Sequence, residues 1–177
     1  MTGRIALVLG GARSGKSAEA ERLVTAWAAP GGEVTYVATA LLDTDDPSLA
    51  DRVAAHRARR TAAWTTVDAG ADLAGVLRSA VGPVLLDSLG PWVAAGHPDA
   101  PDPSPLVTAL LERDGDTVVV SDEVGLAVHP TSASGRWFVD ALGTVNQAVA
   151  AVAHDVRLVV AGRVLVLPAT PPGDGPA

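Results

Sequence analysis

An α/β fold, with a mainly parallel sheet covered by helices on both faces, is what this sequence predicts, and three observations predict it. Short β-branched and aliphatic runs alternate with longer amphipathic stretches along the chain. Gly- and Pro-rich signals such as Pro30-Gly31-Gly32 and Gly82-Pro83 punctuate the boundaries. The first apolar run leads directly into a glycine-rich segment and then into a helix-like one. Sheets of this kind bind their ligands at the carboxyl ends of the strands.

Ile5 to Leu9 reads as the first strand, and Ser17 to Val24 as the helix that follows it. Val34 to Ala38 is a second strand, and Leu49 to Arg60 a helix with a basic C-terminal end. Trp64 to Val67 forms a short strand, and a helix from Ala71 to Ala80 stops at Gly82-Pro83, where Val84 to Asp87 begins another strand. Pro98 to Pro105 holds four prolines in eight residues and reads as a loop or an ordered crossing without regular structure. Leu106 to Arg113 is a short helix, and Thr117 to Val120 a strand whose end carries Ser121-Asp122-Glu123.

The longest helix runs from about Ser132 to Ala153, where Phe138, Leu142, Val145, Val149 and Val152 make one apolar stripe. Val156 to Ala161 and Val164 to Leu167, separated by Gly162-Arg163, suggest a hairpin and hence an antiparallel C-terminal edge strand. The expected organisation is one domain over residues 1–168 and a mobile Pro/Gly-rich tail over 169–177.

The glycine-rich segment is Gly10-Gly11-Ala12-Arg13-Ser14-Gly15-Lys16-Ser17, which fits the G-x-x-x-x-G-K-[ST] phosphate loop in its strand–loop–helix context. Glycines let the backbone curl with its N–H groups around phosphate oxygens, and the helix N-terminus adds its positive dipole end. In such a loop Lys16 reaches the β/γ-phosphates and the Ser17 hydroxyl ligates Mg²⁺. The fold class is therefore a P-loop NTPase-like three-layer α/β fold.

Composition narrows the partners. The chain has 177 residues, no cysteine and a net charge of −7. That balance argues against nucleic-acid or anionic-membrane binding, and the lack of cysteine excludes disulfides and thiolate metal sites. No window reaches the roughly 18 apolar residues of a membrane span, and the N-terminal apolar run is too short for a signal-peptide core. A cytoplasmic location is the expectation.

Asp87, at the end of an apolar strand, stands where a Walker-B acid would bind Mg²⁺, with Asp122 and Glu123 as further candidates. Strand-end acids also cap the turns that follow them. His56 sits in a basic stretch, with Arg52 before it and Arg57, Arg59 and Arg60 after it. Like-charge neighbours disfavour the imidazolium, which leaves two local readings open, a surface histidine and a neutral nucleophile. The arginines suit nucleotide phosphates. His97, His129 and His154 offer less, and no two histidines have helical metal-ligand spacing.

The whole pattern then resembles a known family. The phosphate loop, Tyr36-Val37-Ala38-Thr39-Ala40, Arg52-Val53 with His56 and Arg57, Trp64, Leu86-Asp87, Glu123-Val124-Gly125 with Pro130, and Arg136 to Asp140 leading to Gly143 and Asn146-Gln147 follow in order. Together they resemble the bifunctional adenosylcobinamide kinases/adenosylcobinamide-phosphate guanylyltransferases of cobalamin biosynthesis, over roughly residues 4 to 167.

The resemblance implies two reactions on one scaffold. ATP or GTP phosphorylates the aminopropanol hydroxyl of adenosylcobinamide, and GTP then donates GMP to that phosphate through a guanylyl-histidine. His56 matches the position of that histidine. A homo-oligomer, a trimer in members of the family, is implied as well. The chain departs from the family's usual pattern at Ser88-Leu89-Gly90-Pro91-Trp92 with Ala95, at Asp122 where Asn is common, and at Asp68 where Glu is usual. Two other classes remain in view: a single-activity P-loop small-molecule kinase, and a non-catalytic GTP-binding regulatory module.

Overall fold

The computed structural model describes residues 3–39 and 64–169. These form a seven-stranded sheet built from β1 (Ile5–Gly10), β2 (Val34–Ala38), β3 (Trp64–Asp68), β4 (Val84–Asp87), β5 (Thr117–Asp122), β6 (Asp155–Val160) and β7 (Arg163–Leu167). Its order is β3-β2-β4-β5-β1-β6-β7. All pairings are parallel except β6 with β7, which closes the edge as the hairpin pattern predicts. The helices are α1 (Lys16–Trp27), α2 (Leu73–Ser79), α3 (Leu89–Ala95), α4 (Ser104–Glu112) and α5 (Ala133–Val152).

The continuous apolar runs of the central strands follow from burial on both faces. Because side chains alternate along a strand, Ile5 and Leu7 of β1, Leu86 of β4 and Val119 of β5 face one layer. Ala6, Val8, Leu85, Val118 and Val120 face the other. The first layer is covered by α2 to α5 through Leu73, Leu77, Leu89, Leu106, Leu110 and the α5 stripe of Leu142, Val145 and Val149. The second is covered by α1 through Ala20, Leu23 and Val24. This is the three-layer arrangement expected from the sequence.

Capping sets several boundaries. Ser132 accepts a hydrogen bond from Gly135 N at 3.1 Å and starts α5, and Asp72 does the same for α2 through Gly75 N at 2.8 Å. Arg113, buried after α4, donates to the carbonyls of Ala80, Gly82, Gly115 and Asp116. It thereby ties the turns that enter β4 and β5, and its burial pulls the guanidinium pKa down.

Four details differ from the sequence reading. Helix α3 lies in a segment that the pattern leaves unassigned, because Gly90 and Pro91 hide it. Proline is tolerated in a first turn, where its missing N–H has no intrahelical partner, and Ser88 supplies the cap through Gly90 N. Helix α4 begins inside the proline-rich stretch for the same reason, with Pro105 in its first turn. Strand β5 runs on through Ser121 and Asp122, held in register with Leu9 and Gly10 of β1. The hairpin turn is Ala161-Gly162 rather than Gly162-Arg163, with φ of 50° and 74° at its two centres, as a primed two-residue turn requires. The helix expected over Leu49 to Arg60 lies outside the described residues, as does the tail from residue 170.

Candidate active site

Gly10 ends β1 at the point where the backbone must turn tightly. A Cβ there would meet Ser14 Oγ at 2.4 Å and Val159 O at 2.7 Å, so only glycine fits between the loop and β6. Gly15 takes a φ of 97° immediately before α1, and Arg13, at φ 56°, shares the left-handed region. Two left-handed turns within three residues fold the segment Gly10 to Ser17 into a closed loop. Ser14 N donates to Gly11 O at 3.3 Å, and Gly162 N from the β6–β7 turn donates to Ser14 O at 2.8 Å. Ser14 Oγ accepts from Lys16 N at 3.3 Å.

Lys16 folds back over this loop. Its ammonium donates to Gly11 O at 3.1 Å and pairs with Asp122 Oδ1 at 2.8 Å. The side chain is 14% exposed, so the charge is held in place rather than swinging in solvent. Gly11, Ala12 and Arg13 are exposed along the loop, and Ser17 stands in the first turn of α1. Helix α1 is fixed to β6 by Glu19, whose carboxylate meets Arg22 at 2.7 Å and Arg157 at 2.5 Å. Those guanidinium bonds, that of Arg22 foremost, hold the Glu19 carboxyl below the usual carboxylate range.

The strand-end acids fall into three different surroundings. Asp87, at the end of β4, accepts a hydrogen bond from the Tyr36 hydroxyl of the neighbouring β2. Asp122, at the end of β5, faces Lys16, and its carbonyl accepts from Asn146 Nδ2 of α5 at 3.1 Å. Glu123 accepts from Gly125 N at 2.9 Å and Leu126 N at 3.1 Å, so it organises the turn after β5, the capping alternative of the sequence reading. Thr39, just after β2, is hydrogen-bonded to both the N–H and the carbonyl of Ser88, which joins the ends of β2 and β4.

The site thus gathers Gly10, Gly11, Ala12, Arg13, Ser14, Gly15, Lys16 and Ser17 with Asp122, and sets Asp87 one strand away at the same end of the sheet. His56 and Arg57 lie outside the described residues. His129 is exposed in the loop after β5, His97 stacks edge-on against Trp137, and His154 Nδ1 accepts from Ile5 N at the opposite end of β1. The links of Tyr36 to Asp87 and of Asn146 to Asp122 carry no local sequence signal, because each joins segments far apart in the chain.

Ser17 and Asp87 offer a hydroxyl and a carboxylate, hard oxygen donors of the type that suits Mg²⁺. Among the described residues no three His, Cys, Asp or Glu side chains cluster as a metal cage. That donor set fits a cation carried by phosphates, which keeps most of its shell as water and phosphate oxygen.

A family model described as cobinamide kinase / cobinamide phosphate guanyltransferase matches residues 6–167. The chain belongs to that family. Relatives agree across nearly the whole length. The bifunctional adenosylcobalamin biosynthesis protein CobP of Pseudomonas aeruginosa is 38% identical over 174 residues, covering 93% of this chain and 98% of that protein. The bifunctional adenosylcobalamin biosynthesis proteins CobU of Escherichia coli and Salmonella typhimurium are each 33% identical, covering 88% of this chain and 95% of theirs. Within the cobinamide kinase / cobinamide phosphate guanyltransferase family, this chain carries its glycine-rich loop on a parallel sheet whose ends are tied by Lys16–Asp122 and Tyr36–Asp87. Among the described residues, no helix is long and apolar enough to cross a membrane.

Proposed function

We propose that this chain performs both transfers that its family name describes, with adenosylcobinamide as the acceptor. In the first, the aminopropanol hydroxyl attacks the γ-phosphorus of ATP or GTP. An O–P bond forms, the bond to the β,γ-bridging oxygen breaks, the nucleoside diphosphate leaves with the electron pair, and the hydroxyl proton passes to a carboxylate or to water. Gly10 to Ser17 cradle the phosphates and Lys16 stabilises charge on the group in flight. Ser17 and Asp87 would hold Mg²⁺, which would supply positive charge against the triphosphate.

In the second transfer an imidazole nitrogen of His56 attacks the α-phosphorus of GTP, forming a P–N bond and expelling pyrophosphate. A phosphate oxygen of adenosylcobinamide phosphate then attacks the same phosphorus, and the histidine leaves unchanged, giving adenosylcobinamide-GDP. Arg57 beside it holds nucleotide phosphates.

The observation that carries this reading is the ordered loop itself, with the Lys16 ammonium already placed between Gly11 O and Asp122. The same proposal includes a single domain over residues 1–168, a cytoplasmic setting and a homo-oligomer, a trimer by resemblance. Val160, Leu165 and Val166, all more than half exposed on the β6–β7 hairpin, give that oligomer an apolar face.

Chromatography of the products tests it. With adenosylcobinamide, ATP and GTP, the expected products are adenosylcobinamide phosphate and then adenosylcobinamide-GDP. The phosphate alone would point to a single-activity kinase, and neither product to a GTP-binding module.

A further inference from the structure

Between the turn after β5 and helix α5 lies a cleft of about 540 Å³ whose rim shares Leu9 and Glu123 with the base of the phosphate loop. Glu123 N donates to Gly10 O at 3.1 Å, so the cleft and the loop are joined through one backbone bond. Its other walls include Val124, Val139, Gly143, Asn146 and Gln147.

Two residues of α5 in this cleft are unexplained by the fold. Gly143 sits in the middle of a 20-residue helix, where glycine is the poorest helix former after proline. A close neighbour would justify it, yet among the described residues a Cβ at 143 would meet nothing within 4 Å. Its missing side chain therefore leaves the cleft open and relieves no contact.

Asn146 follows one turn later on the same face. Its Nδ2 donates to Asp122 O, which fixes the amide the right way round, because a carbonyl can only accept. Asn146 Oδ1 is then turned away from that carbonyl and buried, and among the described residues it has no hydrogen-bond partner. A buried acceptor with nothing donated to it is costly unless a ligand or water completes it.

The charge of the cleft selects among ligands. Among the described residues no Lys or Arg lines it, while Glu123 and Asp140 do. That acidic lining disfavours an anionic triphosphate, whereas the Lys16 ammonium, paired with Asp122, favours one.

We propose that this cleft is the subsite for the phosphoryl acceptor, kept open by Gly143 and read by Asn146 Oδ1, and that it takes an amide- or hydroxyl-bearing ligand without negative charge. This rests on the kinase reading above and adds to it the residues that hold the acceptor.

The test is steady-state phosphorylation of adenosylcobinamide by the full chain and by Gly143→Leu, Gly143→Ala and Asn146→Leu, with the affinity for mant-ATP and the thermal midpoint measured on each. Gly143→Leu fills the cleft, and Asn146→Leu removes the acceptor atom. Each should raise KM for adenosylcobinamide about tenfold or more, the range in which one contact discriminates. The mant-ATP affinity should stay within about twofold in Gly143→Leu, which leaves the Lys16–Asp122 pair and the Asn146 bond to Asp122 intact. Gly143→Ala should keep KM near wild type and raise the thermal midpoint. A wild-type KM in both leucine variants would overturn the subsite, as would a loss of mant-ATP affinity in Gly143→Leu that matches its rise in KM. If the wild-type chain fails to phosphorylate adenosylcobinamide at all, it is the functional reading that falls, a result distinct from an active enzyme indifferent to residue 143.

Discussion

The Lys16 ammonium lies 2.8 Å from Asp122 Oδ1, across the carboxyl ends of β1 and β5. Gly10 and Asp122 are direct partners in that parallel ladder, so the acid that holds the lysine is placed by strand register and needs no loop to carry it. In the proposed kinase step nucleotide phosphates would compete with Asp122 for the same ammonium, which the ion pair already holds in position.

Replacing Lys16 by Ala removes the charge that the proposed kinase step places against the transferring phosphoryl group. The kinase rate should fall by about a hundredfold or more, as losing a preorganised electrostatic contact does. The thermal midpoint should change little by comparison, since the side chain supports the loop and not the core. Phosphorylation of adenosylcobinamide near the wild-type rate by this variant would remove Lys16 from the mechanism.

The two strand-end aspartates are separable by magnesium titration. Asp87→Asn should lower the kinase rate and raise the Mg²⁺ needed for half-maximal rate by about tenfold or more, in line with the cost of disturbing a metal's oxygen partners. Asp122→Asn releases Lys16 from its ion pair and should leave the Mg²⁺ requirement much closer to wild type. The reverse ranking would move the metal role from Asp87 to Asp122.

Acid should loosen two supports of the sheet, the Arg4–Asp116 pair before β1 and β5 and the Glu19 pairs that fix α1 to β6. Asp116 is held below the usual carboxylate range, chiefly by the Arg4 guanidinium, and Glu19 chiefly by Arg22 and then Arg157. For a carboxyl whose folded pKa is depressed, the stabilisation is complete above the unfolded value of about 4 and disappears as pH falls through the lower folded value. The thermal midpoint should therefore be flat near pH 6 and drop below about pH 4, with a shallower drop in Asp116→Asn and Glu19→Gln. Parallel acid profiles for wild type and both variants would contradict the assignment.

How far the sequence could be read depended on the range of the forces involved. Strands such as Val84–Asp87 and Val34–Ala38 were legible because full burial demands an unbroken apolar run and turn residues bound it. Helix α5 was legible through its stripe, with Ser132 as its cap. Helix α3 was not, since Gly90 and Pro91 depress its propensity and only packing of Leu89 and Val93 into the core, with the Ser88 cap, stabilises it. At the site, Lys16 and the loop glycines were visible as a motif. The pairing of Lys16 with Asp122, the hydrogen bond of Tyr36 to Asp87 and the anchoring of Asn146 are tertiary, made by strand register and helix packing that no local pattern encodes.

Mass spectrometry of the intact protein after incubation with GTP and Mg²⁺ tests the central claim most directly, because a covalent nucleotide separates a two-step guanylyl transfer from every simpler use of a phosphate loop. The expected result is a GMP adduct on His56, labile in acid and persistent in alkali as a P–N bond is, absent from His56→Ala while that variant still phosphorylates adenosylcobinamide. A GMP adduct that survives the His56→Ala substitution, or adenosylcobinamide-GDP formed at the wild-type rate without any adduct, would contradict it.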